Sequence, residues 1–237
     1  MARRPAGARN ARVRRKAQPV SGSPALRWSA DDRALMGADK VLKRVMEERG
    51  PIDPAIDRRG SRPDPFEAVA RAIVGQQLST KAARSIWSKL VDQFGGETPT
   101  PEALLRRRAT TLRKAGLSNA KVEFLRDLAK RVKDGRLDFD QIKDLPDEDV
   151  IAELIEVKGV GRWTAEMFLM FHLAREDVVS LGDLGIRRAV QIEYGMEELP
   201  GPGELERIAD EWRPRRTLAC LYLWRSLDNA PVEQPAK

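Results

Sequence analysis

Hydrophobic positions recur with helical spacing along most of the chain, and capping residues and glycines divide them into segments. In the segment 119–134, for example, Leu125, Leu128 and Val132 mark one buried stripe. The polar positions on its other faces are predicted to face water: Glu123, Asp127 and Lys130. No series of segments alternates apolar and polar residues as β-strands do. The pattern therefore predicts an all-α fold.

Caps and stops give the predicted helix limits. Ser29 is predicted to cap one helix from about Ala30 to Glu48. Asp64 and Pro65 begin the next, with Glu67 completing a capping box, and it runs to about residue 75. Later helices are predicted at about 80–94, 109–115, 119–134, 184–192, 204–212 and 214–227. Of three further helices, one begins at residue 101, one ends at about residue 157 and one begins at about residue 162. Two of them, around 163–171 and 218–224, are apolar on nearly every face and must be buried.

The charge of the chain is concentrated at its N-terminus. The 237 residues carry a net charge of +7, and residues 1–20 hold seven bases and no acid, so the remainder holds 36 bases against 36 acids. Residues 1–24 show no periodicity and are predicted to form a basic disordered tail, either generically solvated or contacting DNA without sequence preference. The rest of the chain can bind nucleic acid only through local patches and backbone donors.

Composition also excludes several classes of site. No run approaches the roughly 18 to 20 apolar residues of a membrane span, and the N-terminus lacks an apolar signal core, so a cytoplasmic protein, nucleoid-associated if bacterial, is expected. Cys220 is the only cysteine and His172 the only histidine, which excludes an intramolecular disulfide and metal sites of several cysteines or histidines. Both are predicted to be core residues.

A glycine hairpin at residues 158–161 is the first candidate for function. It joins two predicted helices and carries glycine at positions 159 and 161. Glycine permits positive φ and removes side-chain bulk, so the backbone amides that open the second helix can approach an anion. An ordinary helix–helix turn with a glycine stop is the alternative interpretation.

Asp183 is the second candidate. It lies 22 residues beyond Gly161, with Gly182 before it and Gly185 shortly after. A plain N-cap of the following helix is the alternative. A carboxylate beside a phosphate-binding hairpin would repel the DNA backbone, so it does not serve affinity. It is suited to facing a cation that forms during a reaction.

A third candidate is the junction Gln76-Gln77-Leu78-Ser79, where two uncharged amides and a leucine stand between two helices. Ser79 or Thr80 is predicted to cap the second of these helices. The junction is either a packed corner or a loop that probes DNA.

In two pairs of motifs the chain resembles a known family. VKGVGRWTA followed by SLGDLG resembles the helix-hairpin-helix, Gly/Pro-rich loop, Asp (HhH-GPD) superfamily of DNA glycosylases. FEAVARAIVGQQLSTKAA with RWTAEMF is similar to its 3-methyladenine DNA glycosylase II (AlkA-like) branch. The resemblance covers about residues 28–228. It implies one glycosylase domain at 25–237 with an active cleft between two helical subdomains, one at about 25–75 plus 184–228 and a central one with the hairpin at about 76–183.

The resemblance also implies an activity: a monofunctional enzyme that flips alkylated purines out of duplex DNA and excises them hydrolytically in base excision repair, leaving an abasic site. It would act as a monomer, without a cofactor and without a membrane partner. Two alternatives remain, a noncatalytic helix-hairpin-helix DNA-binding protein and a glycosylase for oxidised or deaminated bases.

Roles carry over onto individual residues. Asp183 would support the cationic sugar and position the attacking water. Gln77 and Leu78, with Ser79 beside them, would enter the duplex where the base is flipped out. Trp163 stands where lyase-competent relatives have a Schiff-base lysine, which implies a monofunctional enzyme.

The remaining carried-over roles concern the base and the DNA backbone. Trp163, Trp224 and Tyr222 would line the base pocket, where an indole face suits a cationic purine, with core packing as the alternative for both tryptophans. The hairpin amides would grip a phosphate, often with a monovalent cation at the carbonyls of residues 157–161. The residues assigned to DNA binding at the hairpin are Lys158, Gly159, Val160, Gly161, Arg162 and Thr164.

Overall fold

Every regular element of the described chain is a helix. This computed structural model describes residues 27–52 and 64–227, so the predicted tail at 1–24 lies outside the described residues. The helices are α1 Ala30–Ala38, α2 Lys40–Arg49, α3 Pro65–Gly75, α4 Thr80–Asp92, α5 Pro101–Arg106, α6 Ala109–Arg113, α7 Asn119–Lys133, α8 Phe139–Ile142, α9 Asp147–Ile155, α10 Arg162–Phe171, α11 Leu184–Glu193, α12 Pro202–Asp210 and α13 Arg216–Ser226. The all-α prediction is confirmed. None of these helices is long and apolar enough to cross a membrane.

Local capping explains most helix starts. A side-chain oxygen accepts a hydrogen bond from a backbone amide of the first turn at Ser29, Asp64, Ser79, Thr100 and Ser118. Glu67 does not complete the predicted capping box. Its carboxylate accepts hydrogen bonds from Arg71 and Thr98 instead.

The predicted single helix over 30–48 is wrong, because the chain breaks at Asp39. This residue is extended, with φ −134° and ψ 116°. One carboxylate oxygen caps α2 through the amides of Val41 and Leu42 at 2.8 and 3.0 Å. The other accepts hydrogen bonds from the Tyr194 hydroxyl and from Trp212 Nε1. Partners more than 150 residues away thus stabilise the break. The sequence also missed the four-residue helix α8 and displaced the limits of α12 and α13 by about two residues.

The helices pack in two groups around one continuous core. In the first, α2 packs on α1 and α13, and α11 packs on α13. In the second, α3 packs on α4, α7 and α10, α5 packs on α7, and α9 packs on α10. Helix α3 therefore packs with the second group of helices, and the subdomain limits near 75 and 184 stay predictions. Eight of the eleven residues of α13 are buried, as its apolar pattern predicted.

The only cysteine and the only histidine of the sequence differ in burial. Cys220 is fully buried in α13, and burial raises the pKa of its thiol. His172 was also predicted to be a core residue, but it is only partly buried. It lies at the C-terminal end of α10 with its ring stacked on Phe168 at 4.6 Å.

Candidate active site

Asp183 accepts three hydrogen bonds. Its Oδ1 accepts from the Ile186 amide at 2.8 Å and from Trp224 Nε1 at 3.0 Å, and its Oδ2 accepts from Trp163 Nε1 at 2.6 Å. The first of these bonds is the N-cap of α11. The other two come from indoles on α13 and α10, so capping accounts for only part of the arrangement.

Hydrogen bonds from the described residues leave one acceptor position of this carboxylate open. An ionised carboxylate offers about four acceptor positions, and three of them are filled here. Asp183 is 9% exposed, so most of the residue is shielded from solvent. A water molecule or a developing cation could take the remaining position on Oδ2.

The two tryptophans differ in exposure. Trp163 is 46% exposed, so it is not a core residue, whereas Trp224 is partly buried and stacks on Phe171 with ring centroids 5.9 Å apart. Their N–H edges face Asp183, which the sequence did not predict, because the partners are 20 and 41 residues away. Leu184, directly after Asp183, is 65% exposed and was also missed. The exposed indole and Leu184 give this region an apolar surface.

Gly185 is closely packed at this site. A Cβ there would lie 3.0 Å from Asp183 Oδ1 and 3.2 Å from Trp224 Nε1. Gly182, in contrast, has open space around it. Of the two glycines that flank Asp183 in the sequence, Gly185 is therefore the one at which a side chain would crowd the carboxylate and the indole.

The hairpin joins α9 to α10, and its two glycines do different things. Gly159 has φ +76°, and a Cβ there would lie 2.2 Å from Phe124 Cδ2. Gly161 has φ −103°, which any residue adopts, and nothing lies within 4 Å of its Cβ position. Gly161 therefore does not use the positive φ that glycine permits. Its contribution is an open approach to the backbone.

Backbone donors are exposed where α10 begins. The Val160 amide donates to the Val157 carbonyl, but within 27–52 and 64–227 no acceptor is found for the amides of Gly161, Arg162 and Trp163. No side chain caps this helix. Such amides, with the positive end of the helix dipole, form an anion site.

Asp127 binds the backbone of the hairpin at Lys158. It was predicted to face water, but its side chain is 17% exposed and accepts the Lys158 amide at 2.9 Å and Arg131 Nε at 3.0 Å. Burial alone would raise the pKa of Asp127, but these hydrogen bonds hold it below its ordinary value. The sequence did not predict the contact with Lys158, because the two residues are 31 positions apart.

The predicted DNA-binding side chains of the hairpin are not equally available. Val160 and Thr164 are buried, so only their backbone can reach a ligand. The Lys158 ammonium is exposed and pairs with Glu123 at 2.6 Å. The Arg162 guanidinium pairs with Glu148 and donates through Nε to Glu166 at 3.0 Å.

The junction between α3 and α4 is an exposed loop. Gln77 has φ +58°, an uncommon value for a residue with a side chain, and Leu78 is 39% exposed. Ser79 is exposed as well, and its hydroxyl caps α4 at the Ala82 amide. The alternative of a packed corner does not fit these three residues. Non-glycine residues held at positive φ occur often at functional sites.

Gln76 ties this loop to the hairpin and Lys121 ties it to α7, and the sequence predicted neither contact. Gln76 Nε2 donates to the Gly159 carbonyl at 2.7 Å. Lys121 Nζ donates to the Val74 and Gln76 carbonyls, both at 2.8 Å, and burial lowers the pKa of its ammonium. These contacts span more than 40 residues, so local spacing carries no signal for them.

Tyr222 does not join the site. It is fully buried, its hydroxyl donates to Asp32 at 2.9 Å and accepts from the Ile52 amide at 3.3 Å, and burial raises its pKa. A side chain without exposed surface does not line an open pocket. The prediction that Tyr222 lines the base pocket is therefore not supported.

Two hairpin carbonyls keep acceptor capacity for the monovalent cation that the resemblance implies. The carbonyls of Val157 and Gly159 each accept one hydrogen bond, from the Val160 amide and from Gln76, and each keeps a second lone pair. Neutral carbonyl oxygens at residues 157–161 would hold such an ion, and its charge would attract a phosphate.

Known proteins resemble this chain in sequence and in fold. The family model for the HhH-GPD superfamily base excision DNA repair protein matches residues 70–215. The DNA-3-methyladenine glycosylase 1 of Schizosaccharomyces pombe is 31% identical over 205 residues, which cover 86% of this chain and 89% of that protein.

Solved structures are similar over most of the chain. The crystal structure of DNA-3-methyladenine glycosidase from Bacillus halodurans matches with a TM-score of 0.75 and 37% identity, covering 85% of this chain and 90% of that one. The 3-methyladenine DNA glycosylase of Schizosaccharomyces pombe in complex with abasic DNA also gives a TM-score of 0.75, at 31% identity over 83% of this chain and 96% of that one. The chain, with its glycine hairpin and the aspartate at the start of α11, belongs to the HhH-GPD superfamily of base excision DNA repair proteins.

Proposed function

We propose that this protein is a monofunctional DNA glycosylase that flips alkylated purines of the 3-methyladenine type out of duplex DNA and hydrolyses their N-glycosidic bond. The observation that carries the proposal is the Asp183 carboxylate, set between the Trp163 and Trp224 indoles with one acceptor position open. Relatives named DNA-3-methyladenine glycosylase support the same substrate class.

Asp183 would act on the charge that develops in the sugar. As the bond between C1′ and the base breaks, its electron pair leaves with the base and positive charge grows at C1′. A preorganised anion in a water-poor site stabilises that charge. Water then adds to C1′ and gives up a proton, which the carboxylate is placed to accept. The products are a free base and an abasic site.

The duplex would be held by the start of α10 and opened by the loop between α3 and α4. The amides of Gly161, Arg162 and Trp163 point to a phosphate partner, which is read without regard to sequence. Leu78, exposed on a loop that Gln76 ties to the hairpin, is suited to fill the space that a flipped base leaves. We propose that the protein does this as a monomer and without a cofactor.

Trp163 supports hydrolysis over lyase chemistry. Its indole nitrogen has no basic lone pair and donates its N–H to Asp183, so it cannot form a Schiff base with C1′. Strand cleavage by this residue is therefore not expected.

The test is a single-turnover assay on duplex oligonucleotides that carry one alkylated purine each. We expect release of the base and an abasic site that breaks only after alkali treatment. A parallel duplex with an oxidised base should remain intact. No base release from any alkylated duplex would favour a noncatalytic DNA-binding protein, and strand breaks without alkali would favour a glycosylase with lyase activity.

Base flipping should depend on the loop between α3 and α4. The Gln77→Ala, Leu78→Ala double variant should lose most of the fluorescence rise of a 2-aminopurine reporter beside the lesion, because filling the vacated stack offsets an unstacking cost of a few kcal/mol. Initial binding to duplex DNA should change much less. Ile192→Ala, which removes an exposed aliphatic side chain at the far end of α11, is the matched control. Equal fluorescence in the double variant and the parent would remove these residues from the flipping step.

A further inference from the structure

We propose that Glu166 and Ser180 form a buried positioning pair that holds the Asp183 loop on α10 and sets the direction of the catalytic carboxylate. The inference rests on the proposed function. Neither residue touches the substrate in this proposal, and both act through Asp183.

Glu166 and Ser180 are buried and hydrogen-bonded. Glu166 is 4% exposed and Ser180 is 0% exposed. The Ser180 hydroxyl donates to Glu166 Oε2, and Arg162 Nε donates to Glu166 Oε1 at 3.0 Å. Both carboxylate oxygens therefore have donors, one on the aspartate loop and one at the phosphate-facing start of α10.

Ser180 lies at the start of the turn that ends at Asp183. Its carbonyl accepts the Asp183 amide at 3.1 Å, so the position of Ser180 fixes where this turn closes. Helix α10 holds the turn at both ends, because Glu166 binds Ser180 and Trp163 binds Asp183 Oδ2. Trp163 and Glu166 are three residues apart and lie on the same face of the helix. Both ends of the turn are therefore bound to the same helix, α10.

A carboxylate is a costly choice for a purely structural contact here. Burial raises the pKa of Glu166, although the Ser180 and Arg162 hydrogen bonds oppose that effect. A buried ion pair is often no more stabilising than well-packed apolar side chains of similar volume. The hydroxyl–carboxylate pair gives something that apolar packing does not, namely a directional contact of defined length. That property suits the positioning of Asp183.

The hydrogen-bond geometry of the pair gives variants that separate positioning from folding. Ser180→Ala removes the donor, Glu166→Ala removes the acceptor, and Glu166→Gln keeps one oxygen that can accept the Ser180 hydroxyl. Glu148→Gln is the matched control, because Glu148 binds the same Arg162 guanidinium, is 70% exposed and, among the described residues, forms no hydrogen bond with the Asp183 loop.

The experiment measures single-turnover base release with enzyme in excess, together with the dissociation constant for undamaged duplex. We expect Ser180→Ala and Glu166→Ala to slow release by about tenfold or more, since misplacing a reacting group by about 1 Å can cost up to about a hundredfold. Affinity for duplex should stay within about twofold, because the backbone amides of Gly161, Arg162 and Trp163 are unchanged. Glu166→Gln should restore release to within about threefold of the parent, and Glu148→Gln should match the parent.

A double variant makes the test specific for Asp183. If Ser180 acts through that carboxylate, Ser180→Ala should slow the Asp183→Asn protein no further, because residues that act as a unit are not additive. A Ser180→Ala rate equal to the parent, a loss of duplex affinity equal to the loss of rate, or a further slowing in the Asp183→Asn background would each overturn the inference. An inactive parent protein would overturn the proposed function, and this inference with it.

Discussion

Replacing Asp183 by Asn is expected to slow excision of an alkylated purine by at least about a hundredfold, because one well-placed electrostatic contact in a water-poor site contributes roughly 3 to 4 kcal/mol to catalysis. DNA affinity should be kept or should rise, since a negative charge near phosphates has been removed. The measurement is single-turnover base release by folded parent and variant at matched DNA occupancy.

The hydrogen bonds around Asp183 define the control for this variant. An Asn oxygen can still accept from the Ile186 amide and Trp224 Nε1, but its NH₂ group would then face the Trp163 N–H, donor against donor. Trp163→Phe removes that donor while keeping the charge of Asp183. We expect it to cost less than about tenfold, which separates loss of charge from loss of one hydrogen bond.

A role for Asp183 as a helix cap alone gives the opposite pattern. Loss of capping would lower the free energy of unfolding by up to about 1 kcal/mol and leave the rate of excision unchanged, and Asn is itself a good cap. Similar rates for parent and Asp183→Asn would therefore refute the catalytic assignment.

Replacing Gly159 by Ala is expected to weaken binding to damaged and undamaged duplex alike by at least about tenfold, because the hairpin contacts phosphate and not bases. The new Cβ would lie 2.2 Å from the Phe124 ring at a residue with φ +76°. The left-handed backbone alone costs on the order of 1 to 3 kcal/mol for a residue with a side chain, so the hairpin and the start of α10 must shift. Fluorescence anisotropy with both duplexes, together with thermal unfolding, measures the two effects.

Gly161 provides the matched comparison. Gly161→Ala should leave thermal stability and DNA binding near the parent values, since its φ of −103° is ordinary and its Cβ position is open. Gly161→Asp should also fold, yet lose DNA affinity through the negative charge beside the exposed amides. If Gly159→Ala or Gly161→Asp kept its DNA affinity and changed only lesion preference, the hairpin would not be the phosphate contact.

Features that depend on neighbouring residues could be predicted from the sequence. The caps at Ser29, Asp64 and Ser118 each bond an amide two or three residues away, so the sequence contains both partners at fixed spacing. The glycine hairpin before α10 and the aspartate before α11 are local motifs in the same sense. With the apolar periodicity they were enough to predict an all-α fold, the family and Asp183.

Only the tertiary structure decided which side chains meet. It brought Trp163 and Trp224 to Asp183, bound Gln76 to Gly159, and placed Tyr222 in the core away from the site where the sequence had predicted it. It also broke the first predicted helix at Asp39, because Tyr194 and Trp212 bind that carboxylate. The physical reason is common to all of these cases. A side chain's partners across the fold depend on how helices pack and rotate against one another, whereas periodicity reports only which face of a helix is buried.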